Sequence, residues 1–255
     1  MSNPRSSQKS ILITGAARRV GAAIARALHA AGANVIIHCN HSRADADALA
    51  AELNQARAKS AEVVQGDLLA TNALAGLIVQ AHSCFGRLDG LVNNASSFYP
   101  TPIGTIDEDH WNELIGSNLK APLWLSQAAA PYLRESGERG GAIVNIVDIH
   151  VDRPLKDFVV YNAAKAGLAG LTRSLALDLG PDIRVNGVSP GAIMWPEDEA
   201  AYPAEERARI INQTPLKRIG TAEDIAGAVK FLMLDAPYVT GQILAVDGGW
   251  LGSDD

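Results

Sequence analysis

Tyr161 and Lys165 stand four residues apart, a spacing that puts both on one face of a helix, one turn from each other. An ammonium beside a phenol favours the phenolate and draws its pKa down from about 10. That would make the tyrosine a proton donor or acceptor at working pH. The pair alone is common, and an ordinary surface helix would carry it equally well. Its surroundings add weight. Asp148 closes an apolar run 13 residues before Tyr161, and Asn118 lies in a long helical stretch upstream.

A second group of residues is suited to holding an anion. The first apolar run leads into TGAARRVG, residues 14–21, followed by an Ala-rich helical pattern. A glycine turn between the first strand and helix brings backbone N–H groups and a helix N-terminus against a pyrophosphate. Gly15 permits the turn and Gly21 lets the helix pack closely, while Arg19 stands where GxGxxG has its middle glycine; Arg18 and Arg19 bring positive charge to the anion. The alternative is a turn with two solvated arginines. After the second strand comes HCNHSR, residues 38–43, with no acid before Asp45. A dinucleotide site for NAD places a carboxylate there, which would repel a 2′-phosphate. An imidazole, a hydroxyl and a guanidinium (His41, Ser42 and Arg43) instead suit a phosphate, so NADP is favoured. Ser42 could also be only the N-cap of the next helix.

These groups need rigid elements behind them. Short runs rich in Val, Ile and Leu occupy 11–14, 35–38, 63–66, 88–93, 142–147, 183–188 and 242–246, without strict alternation, as in strands buried on both faces of a parallel sheet. Helical patterns fill 20–31, 44–57, 73–85, 111–133 and 162–179. The alternation predicts a single-domain α/β fold, a Rossmann-type doubly wound parallel sheet over 1–255, with 1–9 disordered. The 255 residues suffice for a self-sustaining core. A net charge of −6 argues against nucleic acid or anionic membrane as partner. No apolar run approaches the ~20 residues of a spanning helix, and the first residues lack the apolar centre of a signal peptide. Cys39 and Cys84 form neither a disulfide framework nor a metal spacing. A soluble cytoplasmic protein is expected.

Taken together, TGAARRVG, Asp67-Leu68 after the third strand, Asn93-Asn94-Ala95 after the fourth, Asn118, Tyr161 with Lys165, Pro190-Gly191 after the sixth and Asp247-Gly248-Gly249 near the end resemble the short-chain dehydrogenase/reductase family. The resemblance covers nearly the whole chain. It implies a Rossmann fold, usually a tetramer, and a catalytic Asn-Ser-Tyr-Lys set. In that set Asn118 would hold a relay water, Tyr161 would be the acid, and Lys165 would bind nicotinamide ribose and tune Tyr161. It also implies NADPH contacts from Gly15, Arg19, Val20 and Gly21, from His38, His41, Ser42 and Arg43, from Asp67 and Leu68, from Asn94, Ala95 and Ser96, and from Tyr161, Lys165, Pro190 and Gly191. The usual serine is Asp148 here. Arg19, the HCNHS segment and NNASSFYPTP at 93–102 look like the pteridine reductase subfamily, with His41 where that subfamily carries arginine and Arg43 able to compensate.

That resemblance implies NADPH-dependent reduction of dihydropterin, biopterin or dihydrofolate, a hydride reaching ring carbon and Tyr161 with Asp148 supplying a proton to ring nitrogen. A carboxyl can relay that proton and bond an amino-pyrimidine edge. Phe98 would stack on the pterin, and Arg19 and Ser96 would bind its polar atoms and the cofactor phosphate. Asp148 as a loop N-cap and Phe98 as a core aromatic are the plainer alternatives. Residues 192–214 are expected to form a substrate lid in which Trp195 either closes the pocket or packs the lid. Glu197, Asp198 and Glu199 read as a solvated helix start, and as a reason for folate tails to be disfavoured. The 162–179 helix, small-residue-rich, is expected to meet a neighbouring subunit. Two other functions stay open: a generic carbonyl or oxoacyl reductase, which would prefer serine at 148, and a non-catalytic NADP sensor, which would have lost Tyr161 or Lys165.

Overall fold

Ile11 and Ile13 turn to one side of the first strand and Leu12 to the other, and all three are fully buried. A strand apolar on both sides demands a layer on each face. The computed structural model, which describes residues 8–137, 140–195 and 203–253, supplies both layers. In chain order the elements are β1 (Ser10–Ile13), α1 (Arg19–Ala30), β2 (Asn34–Cys39), α2 (Arg43–Ala56), β3 (Ala61–Gln65), α3 (Leu74–Phe85), β4 (Gly90–Asn93) and α4 (Glu108–Ile115). They continue with α5 (Ala121–Arg134), β5 (Gly141–Ile146), α6 (Val159–Leu179), β6 (Ile183–Pro190), α7 (Ala204–Gln213), α8 (Ala222–Lys230) and β7 (Ile243–Val246).

The strands form one parallel sheet of seven in the order β3-β2-β1-β4-β5-β6-β7, a Rossmann-type α/β fold. Ile24 and Leu28 of α1, Leu49 and Leu53 of α2 and Ile225 and Val229 of α8 pack on one face. Leu77 and Ile78 of α3, Leu125 and Leu133 of α5 and Ala176 of α6 cover the other. Strand order reverses between β1 and β4, so their carboxyl ends open a crevice, the usual place for a ligand in such sheets.

Buried polar bonds fix the elements that bear the chemistry. Asn93 donates to Asn145 Oδ1 (2.8 Å), and Asn145 donates to Thr172 Oγ1 (2.9 Å), tying β4, β5 and α6 through the core. The Arg184 guanidinium donates to the carbonyls of Leu232, Met233 and Ala236, closing a π-helical turn after α8.

One expectation gains detail and one needs correction. The expected helical stretch 111–133 is present as α4 and α5, which run on without a coil residue through a π-helical turn, Gly116–Lys120, that contains Asn118. Disorder does not reach residue 9: the Lys9 carbonyl accepts from Asn34 N, and Gln8 accepts from Arg57. Residues 1–7 lie outside the described residues.

Candidate active site

The turn after β1 is fixed by hydrogen bonds within the chain. Gly15 has φ +60° and its N–H donates to His38 Nδ1 (3.2 Å). The other His38 nitrogen donates to the Gly66 carbonyl (3.1 Å). These partners assign the Nε2–H tautomer, and burial pushes the imidazole pKa down, so the ring is neutral. His38 is 1% exposed. Its expected role as a cofactor contact is therefore corrected: it shapes the Gly15 turn from behind. Thr14 Oγ1 accepts from the N–H groups of Asn94 and Ala95, and the Asn94 amide donates to the carbonyls of Thr14 and Gly15, zipping the ends of β1 and β4 together.

A Cβ added at Gly21 would lie 2.3 Å from the Gly15 carbonyl oxygen and 2.7 Å from Asn94 Nδ2, so α1 presses directly on this turn. α4 and α8 carry capping boxes, Asp107 with His110 and Thr221 with Asp224, whereas the α1 N-cap, Arg18, makes no side-chain capping bond and no acid occupies the first turn. The positive end of α1 and its orphan N–H groups thus face the crevice, with Arg19 and Val20 opening the helix. This cradle fits a dinucleotide pyrophosphate.

Around β2 the cations are partly engaged. Arg18 pairs with Asp45 (2.6 Å) and Arg43 with Asp47 (2.8 Å), both pairs well exposed. Exposed pairs of this kind are worth ~0–1 kcal/mol and exchange readily. Ser42 is the N-cap of α2 by position, yet its hydroxyl makes no capping bond; His41 is exposed beside it. Asp67 accepts from Leu69 N, and Leu68 is buried in the core. Gly191 follows β6 so tightly that a Cβ would meet Asp247 Cα at 2.7 Å, next to Pro190. Of the expected cofactor contacts, His38 and Leu68 are buried, while Arg19 and Gly191 line the cavity described below.

The reactive end lies where α6 meets β5. Val160 N donates to Thr101 Oγ1, which sets the first turn of α6 against the segment after β4. Tyr161 Oη donates to Asp148 Oδ2 at 2.6 Å, and Asp148 Oδ1 accepts from His150 N at 2.9 Å. Asp148 is thus both the N-cap of a short 3-10 turn, Ile149–Val151, and the partner of Tyr161. Lys165, 3% exposed, donates to the Ile146 carbonyl (2.8 Å) and lies 5.6 Å from the Tyr161 ring centre.

Burial pushes the Tyr161 pKa well above 10, the Asp148 charge and hydrogen bond push it further, and the Ser96 hydroxyl acts the other way. Burial also pulls Lys165 down to about 8, against the attraction of Asp148. The downward pull expected of Lys165 on the phenol does not dominate here: the net shift of Tyr161 is upward. Asn118, expected to hold a relay water, is 1% exposed. Its amide donates to Ser97 O, Leu114 O and Ser117 Oγ, and its Oδ1 accepts from Ser96 Oγ (2.6 Å). It positions the 96–97 backbone and the Ser96 hydroxyl.

Phe98 is no core aromatic. It is 48% exposed, stacked on Phe158 at 4.6 Å and edge-on to Tyr161 at 4.8 Å. A cavity of about 420 Å³ opens from Arg19, Phe98 and Asp148 toward Trp195, Arg209 and Trp250. Trp195 lines it and carries the Arg207 guanidinium 5.4 Å above its ring. Residues 197–199 lie outside the described residues. Sequence reasoning missed Phe158, Arg153 and Trp250, whose only signals were aromatic or basic character in loops. A larger hollow of about 830 Å³, lined by Gln8, Arg87, Asp89 and Tyr132, lies at the opposite end of the sheet, away from Tyr161.

Comparison with known proteins agrees with this geometry. A family model described as enoyl-(acyl carrier protein) reductase matches residues 15–251. The chain belongs to the short-chain dehydrogenase/reductase family. It is 40% identical to pteridine reductase 1 of Leishmania tarentolae over 94% of this chain and 95% of that one. It is 36% identical to a 3-oxoacyl-[acyl-carrier-protein] reductase of Staphylococcus aureus (94% and 97% covered) and 35% identical to a 7alpha-hydroxysteroid dehydrogenase of Bacteroides fragilis (96% and 95%). As a short-chain dehydrogenase/reductase this protein is an oxidoreductase, and the family's hydride carrier is a nicotinamide dinucleotide. Among the described residues no helix is long and apolar enough to cross a membrane.

Proposed function

We propose that this protein is an NADPH-dependent pteridine reductase. The observation that carries the reading is the 2.6 Å bond from Tyr161 to Asp148, a residue that lines the same cavity as the half-exposed Phe98. Reduction of a ring C=N bond adds a hydride to carbon and a proton to nitrogen. NADPH, when bound, supplies the hydride. Tyr161, protonated because it is buried beside a carboxylate, supplies the proton from Oη, and Asp148 holds that hydroxyl in place and relays its replacement. The same carboxylate can accept from an amino-pyrimidine edge. Phe98 offers a flat aromatic face for the ring, and stacking of this kind contributes ~0.5–1.5 kcal/mol beyond buried area. Similarity to the Leishmania enzyme supports the substrate class.

Arg19 and the α1 N-terminus would hold the pyrophosphate, Lys165 the nicotinamide ribose, and Ser42 with Arg43 or His41 the 2′-phosphate. Residues 192–214 would be the substrate lid, and the working form a cytoplasmic homotetramer. The test follows NADPH absorbance with folate, dihydrofolate, biopterin and dihydrobiopterin beside an acetoacetyl thioester. Pterin turnover exceeding thioester turnover, with NADPH at least about tenfold better than NADH, about 1.4 kcal/mol, is the expected result. Thioester reduction alone would identify an oxoacyl reductase.

A further inference from the structure

Phe98 is suspended between two anchors. On its N-terminal side the Asn118 amide donates to the Ser97 carbonyl (2.9 Å), and Asn118 Oδ1 accepts from Ser96 Oγ (2.6 Å). On its C-terminal side stands Thr101, which is fully buried. The Thr101 N–H donates to the Asp157 carbonyl at 2.6 Å, and Thr101 runs parallel to Phe158 in a single bridge. Between these anchors the backbone of 98–100 makes no hydrogen bond among the described residues. The place of the Phe98 ring therefore follows from where Asn118 and Thr101 are held.

The Thr101 side chain reaches the helix that bears the proton donor. Val160 N, in the residue before Tyr161, donates to Thr101 Oγ1 at 3.3 Å, across 59 residues of sequence. The N-cap residue of α6, Phe158, makes no side-chain capping bond, and no acid stands in the first turn. The first N–H groups of a helix have no partner within it, and a capping oxygen ordinarily serves the second or third of them. Thr101 supplies that oxygen from another segment. One residue thus holds the aromatic wall by its N–H and the acid's helix by its hydroxyl. The rings between them are in contact: Phe98 lies 4.6 Å from Phe158 and 4.8 Å from Tyr161, and Phe158 lies 6.4 Å from Tyr161.

We infer that Thr101 is a positioning residue that keeps the Phe98 face in register with the Tyr161 hydroxyl. Buried behind both, it acts through these two side chains. What the register serves rests on the pterin reading, in which the ring lies against Phe98 while Tyr161 protonates its nitrogen. The coupling of the two segments does not rest on it. Proton transfer requires heavy atoms within about 2.6–3.2 Å of each other, and a misplacement of ~1 Å costs up to about a hundredfold in rate. A helix cap that contributed only stability would leave the turnover of folded enzyme untouched, so the two roles have different readouts.

The experiment compares wild type with Thr101→Val, which keeps the shape and loses the hydroxyl, Thr101→Ser, which keeps the hydroxyl, and Asp157→Val. Asp157 is exposed and has φ +65°, a conformation that a β-branched residue resists. That variant therefore disturbs the same connection from the surface, should Thr101→Val not fold. Turnover of dihydrobiopterin is measured at saturating NADPH and substrate, well below the melting temperature. Both valine variants are expected to lower kcat at least about fivefold, with Thr101→Ser within about twofold of wild type and the NADPH dissociation constant unmoved. Amide hydrogen exchange, read by mass spectrometry, should quicken in both valine variants over 96–99 as well as over 158–162. Unchanged kcat in the valine variants, no rescue by serine, or faster exchange confined to α6 overturns the proposal. Should wild type reduce no pterin, the pterin reading fails, and the exchange measurement, which needs no substrate, decides the role of Thr101 alone.

Discussion

At Tyr161 two neighbours pull in opposite senses, and burial settles the outcome: the phenol is a proton donor locked onto Asp148. Tyr161→Phe keeps the ring against Phe98 and removes only the hydroxyl. Turnover should drop by roughly two orders of magnitude or more, with the dissociation constant for NADPH, read by fluorescence titration, little altered. Asp148→Ser should also slow pterin reduction, because a hydroxyl provides one short hydrogen bond where the carboxylate provides two; unchanged pterin kinetics would point to a carbonyl reductase. Lys165 carries a separate signature. Its native pKa, about 8, lies below the ordinary 10.5, so the folded state binds this proton less well than the unfolded chain. Stability linked to it therefore rises with pH between those values, and below pH 8 the native state carries a desolvation cost. Lys165→Met should lose activity yet raise the melting temperature by several degrees at pH 7, on the order of 1–3 kcal/mol, with the gap shrinking from pH 8 toward 10.5. Calorimetric melting at pH 7 and pH 10 reads both. The identity of this pair was visible in the sequence because i and i+4 fix a shared helix face. The direction of the Tyr161 shift was not, since it depends on burial and on which Asp148 oxygen turns inward.

At the scale of elements, the sequence pattern located the seven strands to within a few residues because strands apolar on both faces have few other homes. It read 111–133 as helical throughout, which it is, but did not reveal the π-helical turn within it, because apolar spacing runs on through such a turn. That turn matters to the site, for it rotates the Asn118 amide onto Ser96, Ser97 and Leu114. His38 failed as a phosphate contact for a similar reason: a strand-end histidine has two faces, and only the Gly15 and Gly66 bonds reveal which one is used. The α1 packing is the sharpest element-level claim. Gly21→Ala would set a methyl against the Gly15 carbonyl and Ala16 Cα, both backbone neighbours that yield only if the turn moves. Overpacking of that sort costs roughly 1–3 kcal/mol, which for a chain of this size corresponds to a few degrees in melting temperature. NADPH affinity should weaken at least about tenfold, because the displaced N–H groups are those aimed at the pyrophosphate. Affinity equal to wild type would show that α1 does not hold the cofactor.

Across the whole molecule, apolar surface is left on elements far from the cavity. Leu177 on α6 is 83% exposed, Trp111 and Trp124 on α4 and α5 are 49% and 40% exposed, and Leu244 is 40% exposed on β7, the last strand of the sheet. Parallel sheets ordinarily have both faces covered and avoid open edges, so β7 with Leu244 and Ala245 exposed is an unfinished boundary. Two separate apolar regions, one on the α4–α6 side and one at β7, suit a closed assembly with two kinds of contact, as a dihedral tetramer requires. Light scattering after gel filtration should give about 107 kDa, four times the 26.8 kDa chain. Leu177→Glu places a charge where the isolated chain has only solvent, so it costs a monomer nothing. In the assembly it would put a carboxylate into an apolar contact, at several kcal/mol if unpaired. The variant should therefore elute at lower mass and melt at a temperature that depends on protein concentration. A wild-type mass equal to one chain would refute the tetramer, and a variant mass identical to a wild-type tetramer would place the contact on another face.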